Sequence, residues 1–192
     1  MSNLKMIEER ALVSRVIGGD MYAFRQLIKQ HERLVAHMVA RVVKVAEERE
    51  EVCQDVFLKV HEKLKDFSFQ SKLSTWIATI AYRQAINHLR KQKMEYIDIP
   101  AEETAIQAFV DRATPENVVE EADMDEYVRR LVDQLPIQYR TVLTLYHVEG
   151  MTYPEICEVM NMPEGTVKNY LFRARNLLKE KVKKHLGKEE LL

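Results

Sequence analysis

The C-terminal stretch of the chain concentrates positive charge. Lys168, Arg173, Arg175, Lys179, Lys181, Lys183, Lys184 and Lys188 follow one another with Glu180 as the one acid before Glu189 and Glu190. Clustered lysine and arginine on a helix neutralise phosphates and release counterions, the electrostatic footprint of a nucleic-acid binder. The start of this run also holds groups able to read bases. Arginine takes a guanine edge in a bidentate way, asparagine an adenine edge, and an aromatic ring can meet a thymine methyl. Lys168, Asn169, Phe172 and Arg173 supply that chemistry off the apolar stripe of Val167, Tyr170, Leu171 and Ala174. Arg175 and Lys179 suit backbone contacts, and Glu164, Gly165 and Thr166 open the helix where amides can hold a phosphate. The competing reading is a solvated helix of an ordinary hairpin, with Phe172 in its core.

The elements needed to present such a helix are written just upstream. Thr152-Tyr-Pro-Glu155 reads as a capping box, with Pro154 tolerated in a first turn whose amides have no intrahelical partner. Ile156, Val159 and Met160 give one apolar face, Asn161 can adopt the left-handed stop, and Pro163 suits the next helix start. Helix, tight turn and basic helix together describe a helix-turn-helix, whose second helix enters the DNA major groove.

The whole-chain balance restricts how binding could work. Over 192 residues the formal net charge is −1, so affinity for DNA must come from segregated rather than overall charge. Hydrophobic residues make up 46 %, enough for compact cores, and five glycines with five prolines favour helices. Cys53 and Cys157 lack metal or redox spacing and read as small apolar groups in a reducing compartment. The six histidines are scattered, no glycine-rich phosphate loop is present, and no metal, cofactor or enzyme chemistry is expected. "MSNLKMIEER" has no apolar core, and "LVAHMVARVV" is broken by His37 and Arg41, so neither export nor membrane insertion is expected. The protein is expected in the cytoplasm.

Along the chain, Glu8 to Ile17 predicts a short helix stopped by "GGD", with Asp20 capping a long helix to about Lys44. Val52, Val56, Val60 and Leu64 mark another helix. Ser74 is a candidate cap for one carrying Trp76, Ile77, Ile80, Ala81 and Leu89. Residues 95–126 hold many acids against Arg112 and predict an acidic linker, with a helical turn around "TAIQAFV". From Tyr127, Val128, Leu131, Val132 and Leu135 form a helix up to Pro136, which opens another ending at Gly150. The expected fold is all-α: an N-terminal helical domain over 1–94, the linker over 95–126, and a helix-turn-helix domain over 127–192.

An ordered set of segments now carries a family resemblance: "EEVCQDVFLKVHEKL", "FSFQSKLSTWIATIAYRQAINHLRK", and "QLPIQYRTVLTLYHVEGMTYPEICEVMNMPEGTVKNYLFRARNLLK". The chain resembles the extracytoplasmic-function (ECF) sigma factors of bacterial RNA polymerase, of the sigma-70 family, over nearly its whole length. Cys157 and Asn161 stand where that family often has Ala and Gly, both mild replacements.

The resemblance implies a function in transcription initiation: binding core polymerase, directing it to specific promoters and helping to melt DNA. Thr166, Lys168, Asn169, Phe172, Arg173 and Arg175 would serve the minus-thirty-five element. The loop would lie over a flipped minus-ten base, with Phe69, Gln70, Ser71 and Lys72 as the capturing groups. Rings, amides, hydroxyls and ammonium groups suit an unstacked base. Arg83, Asn87, Arg90 and Lys91 could follow phosphates along the same helix. Trp76 is expected in the core, with strand separation as its alternative. Gln54, Asp55 and Phe57 match the motif that docks on the clamp coiled coil of the largest polymerase subunit. Phe57 lies off the Val52-Val56-Val60 stripe and could be an exposed anchor or part of a wide apolar face. Contact of the C-terminal domain with the polymerase flap region, and an anti-sigma factor as a further partner, are implied in the same way.

Overall fold

A computed structural model describes residues 3–95, 102–111 and 124–189. Every element among them is helical. Helix α1 spans Asn3–Ile17, α2 Met21–Ala40, α3 Ala46–Lys63 and α4 Leu73–Glu95. Helix α5 spans Glu102–Asp111, α6 Met124–Gln134, α7 Ile137–Leu143, α8 Tyr153–Met160 and α9 Glu164–Glu189. The acidic stretches 96–101 and 112–123 of the expected linker lie outside the described residues.

The N-terminal half is built on α2, α3 and α4. Asp20 caps α2 as its sequence implies, accepting the Tyr22 and Ala23 amides, while Arg15 grips the same carboxylate. Leu27, Leu34, Val35, Met38 and Val39 of α2 meet Val52, Val56 and Val60 of α3 in one core, against Ile77, Ala78, Ala81 and Ala85 of α4. Two expected boundaries shift. Helix α2 ends at Ala40, not near Lys44, because the next carbonyls find other partners: Arg49 donates to those of Val43 and Lys44. Val42 and Val43 still face the core, so the apolar pattern outlasts the helix. Helix α4 begins at Leu73, and the Lys72 carbonyl accepts the Trp76 amide, so Ser74 lies inside the helix rather than at its cap.

The C-terminal half packs α6, α7 and α8 beneath α9. Helix α7 relaxes into a π turn over Thr144–Val148, and Gly150 takes a positive φ of 62° to redirect the chain into α8. The two halves share a continuous core, since α8 lies along α4. Arg140 is buried at this junction and donates to the carbonyls of Arg41, Asp133 and Leu135. Burial lowers its pKa to about 10, so it stays charged at neutral pH. The helical turn expected at "TAIQAFV" is the full helix α5, docked on α9. Phe109 is buried there, and the Lys181 ammonium lies 5.5 Å from its ring and donates to the Val110 carbonyl.

Candidate nucleic-acid interface

The helix-turn-helix forms for the local reasons its sequence implies. The Thr152 amide and hydroxyl both donate to Glu155 Oε2 at 2.8 Å. Asn161 ends α8 with φ 52° and ψ 52°, the left-handed stop, and the Pro163 carbonyl accepts the Val167 amide to start α9. Val167, Leu171 and Ala174 seat α9 on the core, and Tyr170 stacks on the buried Tyr139 with centroids 4.9 Å apart. That register turns Lys168, Asn169, Phe172, Arg173 and Arg175 outward, while Thr166 is half-buried. Phe172 is 65 % exposed, so it belongs to the outer face and not to the core.

The basic run does not act as one surface. Lys181 is buried and spent on α5, whereas Lys179, Lys183 and Lys184 are exposed. Lys168 pairs with Glu164 one turn earlier at 2.6 Å, a bond that raises its pKa. Arg175 reaches His147 at 3.1 Å. Burial, and then the Arg175 charge, lower the His147 pKa, which favours the neutral ring that can accept from the guanidinium.

The loop between α3 and α4 is a folded aromatic cluster. Phe67 is buried, tilted against Phe69 at 4.6 Å and against Trp76 at 5.2 Å. Trp76 is half-buried with it, the packing role its sequence context implied. Phe69 holds a positive φ of 57°, strained for a bulky residue, and the Arg10 guanidinium covers its ring at 4.5 Å. Phe69 is therefore half-buried and capped, while Gln70 and Lys72 are exposed and Ser71 is half-buried. Arg83, Asn87, Arg90 and Lys91 all lie on the exposed side of α4.

On α3, Gln54 and Asp55 face solvent, but Phe57 packs partly against the core. The bare apolar group on that side is its neighbour Leu58, 67 % exposed, which apolar periodicity did not single out.

The contacts that sequence could not suggest join the halves. Lys72 in the loop pairs with Glu155 of α8 at 2.7 Å, and the Thr75 hydroxyl donates to the same carboxylate at 3.4 Å. His37 meets Glu149, and Arg41 pairs with Asp133. Burial pushes the Glu155 carboxyl upward, but the bonds from Lys72 and Thr152 outweigh it and hold the pKa at about 2. Among the described residues no cluster of histidine, cysteine and carboxylates could hold a metal ion. Burial raises both thiol pKa values, so Cys53 and Cys157 are poor nucleophiles.

Comparison with known proteins matches residues 27–95 to sigma-70 region 2 and residues 125–178 to sigma-70 region 4. The RNA polymerase sigma-H factor of Pseudomonas aeruginosa is 33 % identical, covering 89 % of this chain and 92 % of its own. The chain is an ECF sigma factor of the sigma-70 family. The ECF sigma-E factor of Escherichia coli is 32 % identical over 93 % of this chain and 96 % of its own. Among solved structures, the sigma factor RpoE of Bartonella quintana, complexed with the anti-sigma factor NepR, superposes with a TM-score of 0.64. It is 20 % identical and covers 83 % of this chain and 96 % of its own, a likeness of fold. This sigma factor serves promoter-specific initiation of transcription. No described helix is long and apolar enough to cross a membrane.

Proposed function

We propose that the chain docks on core RNA polymerase through α3, reads the minus-thirty-five element with α9, and holds the opened minus-ten strand with the loop before α4. Polymerase performs the chemistry. The observation that carries this reading is the outward set Lys168, Asn169, Phe172, Arg173 and Arg175, presented by a left-handed turn at Asn161. Base-edge readers and phosphate-binding cations share one face there, the arrangement a major-groove helix needs. Residues 1–94, 95–126 and 127–192 serve as polymerase-docking and minus-ten domain, linker, and minus-thirty-five domain. Gln54, Asp55 and the exposed Leu58 form the polymerase-facing side of α3, with Phe57 supporting them from the core. Contact of the C-terminal domain with the polymerase flap, an anti-sigma partner and a cytoplasmic location belong to the same reading.

In the loop, Gln70, Ser71 and Lys72 supply the polar groups for an extruded base, and Phe69 acts as the loop's anchor under Arg10. Replacing Gln70, Ser71 and Lys72 together by Ala tests this. Capture of a base offsets a few kcal/mol of lost stacking, so open-complex formation on duplex promoters falls at least about tenfold. A template mismatched across the minus-ten region restores part of the activity, because unpairing no longer costs energy. Permanganate footprinting with run-off transcription reads both. A triple variant that opens duplex promoters like the parent would refute the loop assignment.

A further inference from the structure

Two cations of α9 rest on opposite ends of a pair of stacked rings. The Lys168 ammonium lies 5.4 Å from the centroid of Tyr153, the first residue of α8. Tyr153 stacks on Tyr146 of the π turn, with centroids 5.5 Å apart and planes at 21°. The Arg175 guanidinium lies 5.2 Å over Tyr146, and His147 beside that ring accepts its N–H at 3.1 Å. Lys168 is also held from its own helix by Glu164 at 2.6 Å. The two cations are seven residues apart, about 10 Å along a helix axis, and the ring pair spans that interval. Tyr146 and Tyr153 pack with one side against the core, and the two cations cover them from outside. The parts of this arrangement are an exposed lysine, an exposed arginine and two half-buried rings at the surface.

We propose that Tyr153 and Tyr146 are positioning residues for promoter recognition, a ring pair that fixes Lys168 and Arg175 at set points of the DNA-facing helix. This rests on the reading of α9 as the minus-thirty-five helix. A free lysine or arginine loses rotamer freedom when it binds. A cation already resting on a ring face has lost part of that freedom in the folded protein, so less is lost on binding DNA. The contact leaves the outer side of each cation available. Glu164 takes one of the three Lys168 donors, and the remainder can meet a base edge or phosphate. The π turn has a role in this scheme. A regular continuation of α7 would rotate Tyr146 and His147 relative to Tyr153, so the wider turn sets the ring register.

The test compares affinity for duplex carrying the upstream element with affinity for a scrambled duplex, by fluorescence anisotropy at fixed salt. Tyr153→Leu lowers that ratio about two- to fivefold, the size of an exposed cation–ring contact, and Tyr146→Leu, which acts through Arg175 and its backbone contact, lowers affinity for both duplexes by a similar factor. Tyr153→Phe and Tyr146→Phe keep the ring and behave as the parent. Tyr153→Leu adds little to Lys168→Ala, because the ring acts through the lysine. In the parent, the ring current shifts the Lys168 ε-methylene protons upfield, and Tyr153→Leu abolishes the shift. If Tyr153→Leu unfolds the domain, Glu164→Gln, on an exposed side chain, tests the same orientation from the other side and also lowers the ratio. Leucine variants with ratio and affinity both unchanged, while Lys168→Ala still lowers the ratio and Arg175→Ala the affinity, overturn the ring-pair role and leave the α9 reading intact. Unchanged ratios and affinities in all of them overturn both.

Discussion

Breaking the pair between Lys72 and Glu155 should both destabilise the protein and release the loop before α4, the proposed minus-ten loop. Glu155 is 14 % exposed and Lys72 46 %, at 2.7 Å. The carboxyl pKa drops from 4.5 to about 2 on folding, a shift worth about 3 kcal/mol if all of it were stability. Solvent reaches nearly half of Lys72, so the pair itself is counted at about 1 kcal/mol. The cap to Thr152 contributes about 1 kcal/mol more. Gln at this position can still accept the Thr152 donors, so Glu155→Gln should cost about 1 kcal/mol and Glu155→Ala about 2. Because the folded pKa lies below the unfolded one, this stability is full above about pH 4.5 and fades as pH falls toward 2. Urea melts from pH 7 to 2.5 should show that loss in the parent and a shallower one in Glu155→Gln.

The functional consequence follows from distance. Elements named for positions ten and thirty-five lie roughly 25 base pairs apart, about 85 Å along B-form DNA. In this structure the loop and α8 touch, so reading both elements requires them to separate. Removing about 1 kcal/mol from the contact raises the separated population up to about fivefold. Glu155→Gln should then bind single-stranded minus-ten DNA up to about fivefold more tightly in anisotropy titrations. A double-mutant cycle with Lys72→Met decides the cause. If the two substitutions add to within about 0.3 kcal/mol, the residues do not interact and the closed contact is not what restrains the loop.

Three further outcomes are expected. Lys168→Ala and Arg173→Ala should each weaken binding to upstream-element duplex by about 1–3 kcal/mol, with polymerase affinity retained in pull-down; equal loss on scrambled duplex would reassign them to phosphate contacts. Asp55→Ala with Leu58→Ala should lower core-polymerase affinity without changing circular dichroism, whereas Phe57→Ala should cost mainly stability, about 2 kcal/mol or more by thermal melting. His31 is held neutral by burial, its pKa lowered to about 4 from 6.5. The unfolded chain therefore binds the extra proton first as pH falls, and about 2–3 kcal/mol of stability should be lost between pH 6.5 and 4. His31→Gln should flatten that part of the pH–stability curve.

What could be read in advance was local. Asp20, the Thr152-to-Glu155 segment, Asn161 and Pro163 each act on backbone groups within a few residues, and the helix starts and stops they write are those observed. Apolar spacing likewise placed Val167, Leu171 and Ala174 inward and so fixed which face of α9 is exposed. The same spacing misled where burial and helix part company. Val42 and Val43 continue the stripe of α2 past its last residue, Ala40, though their amides still reach the Val39 carbonyl, and Phe57 takes the wide apolar face, one of its two expected places, while Leu58 stands outside. The remaining features depend on residues brought together from far along the chain. Glu155 is visible in sequence as a cap, yet a carboxylate has two oxygens: Oε2 takes Thr152, and Oε1 remains for Lys72, 83 positions earlier. Lys181 is indistinguishable in sequence from its basic neighbours until Phe109 and the Val110 carbonyl arrive beside it. Charge counted along a chain therefore overstates a binding surface wherever the fold uses a cation internally. The cations that stay on the outer face of α9 are those whose partners, such as Glu164 for Lys168 and the Tyr146 ring for Arg175, hold them without burying them.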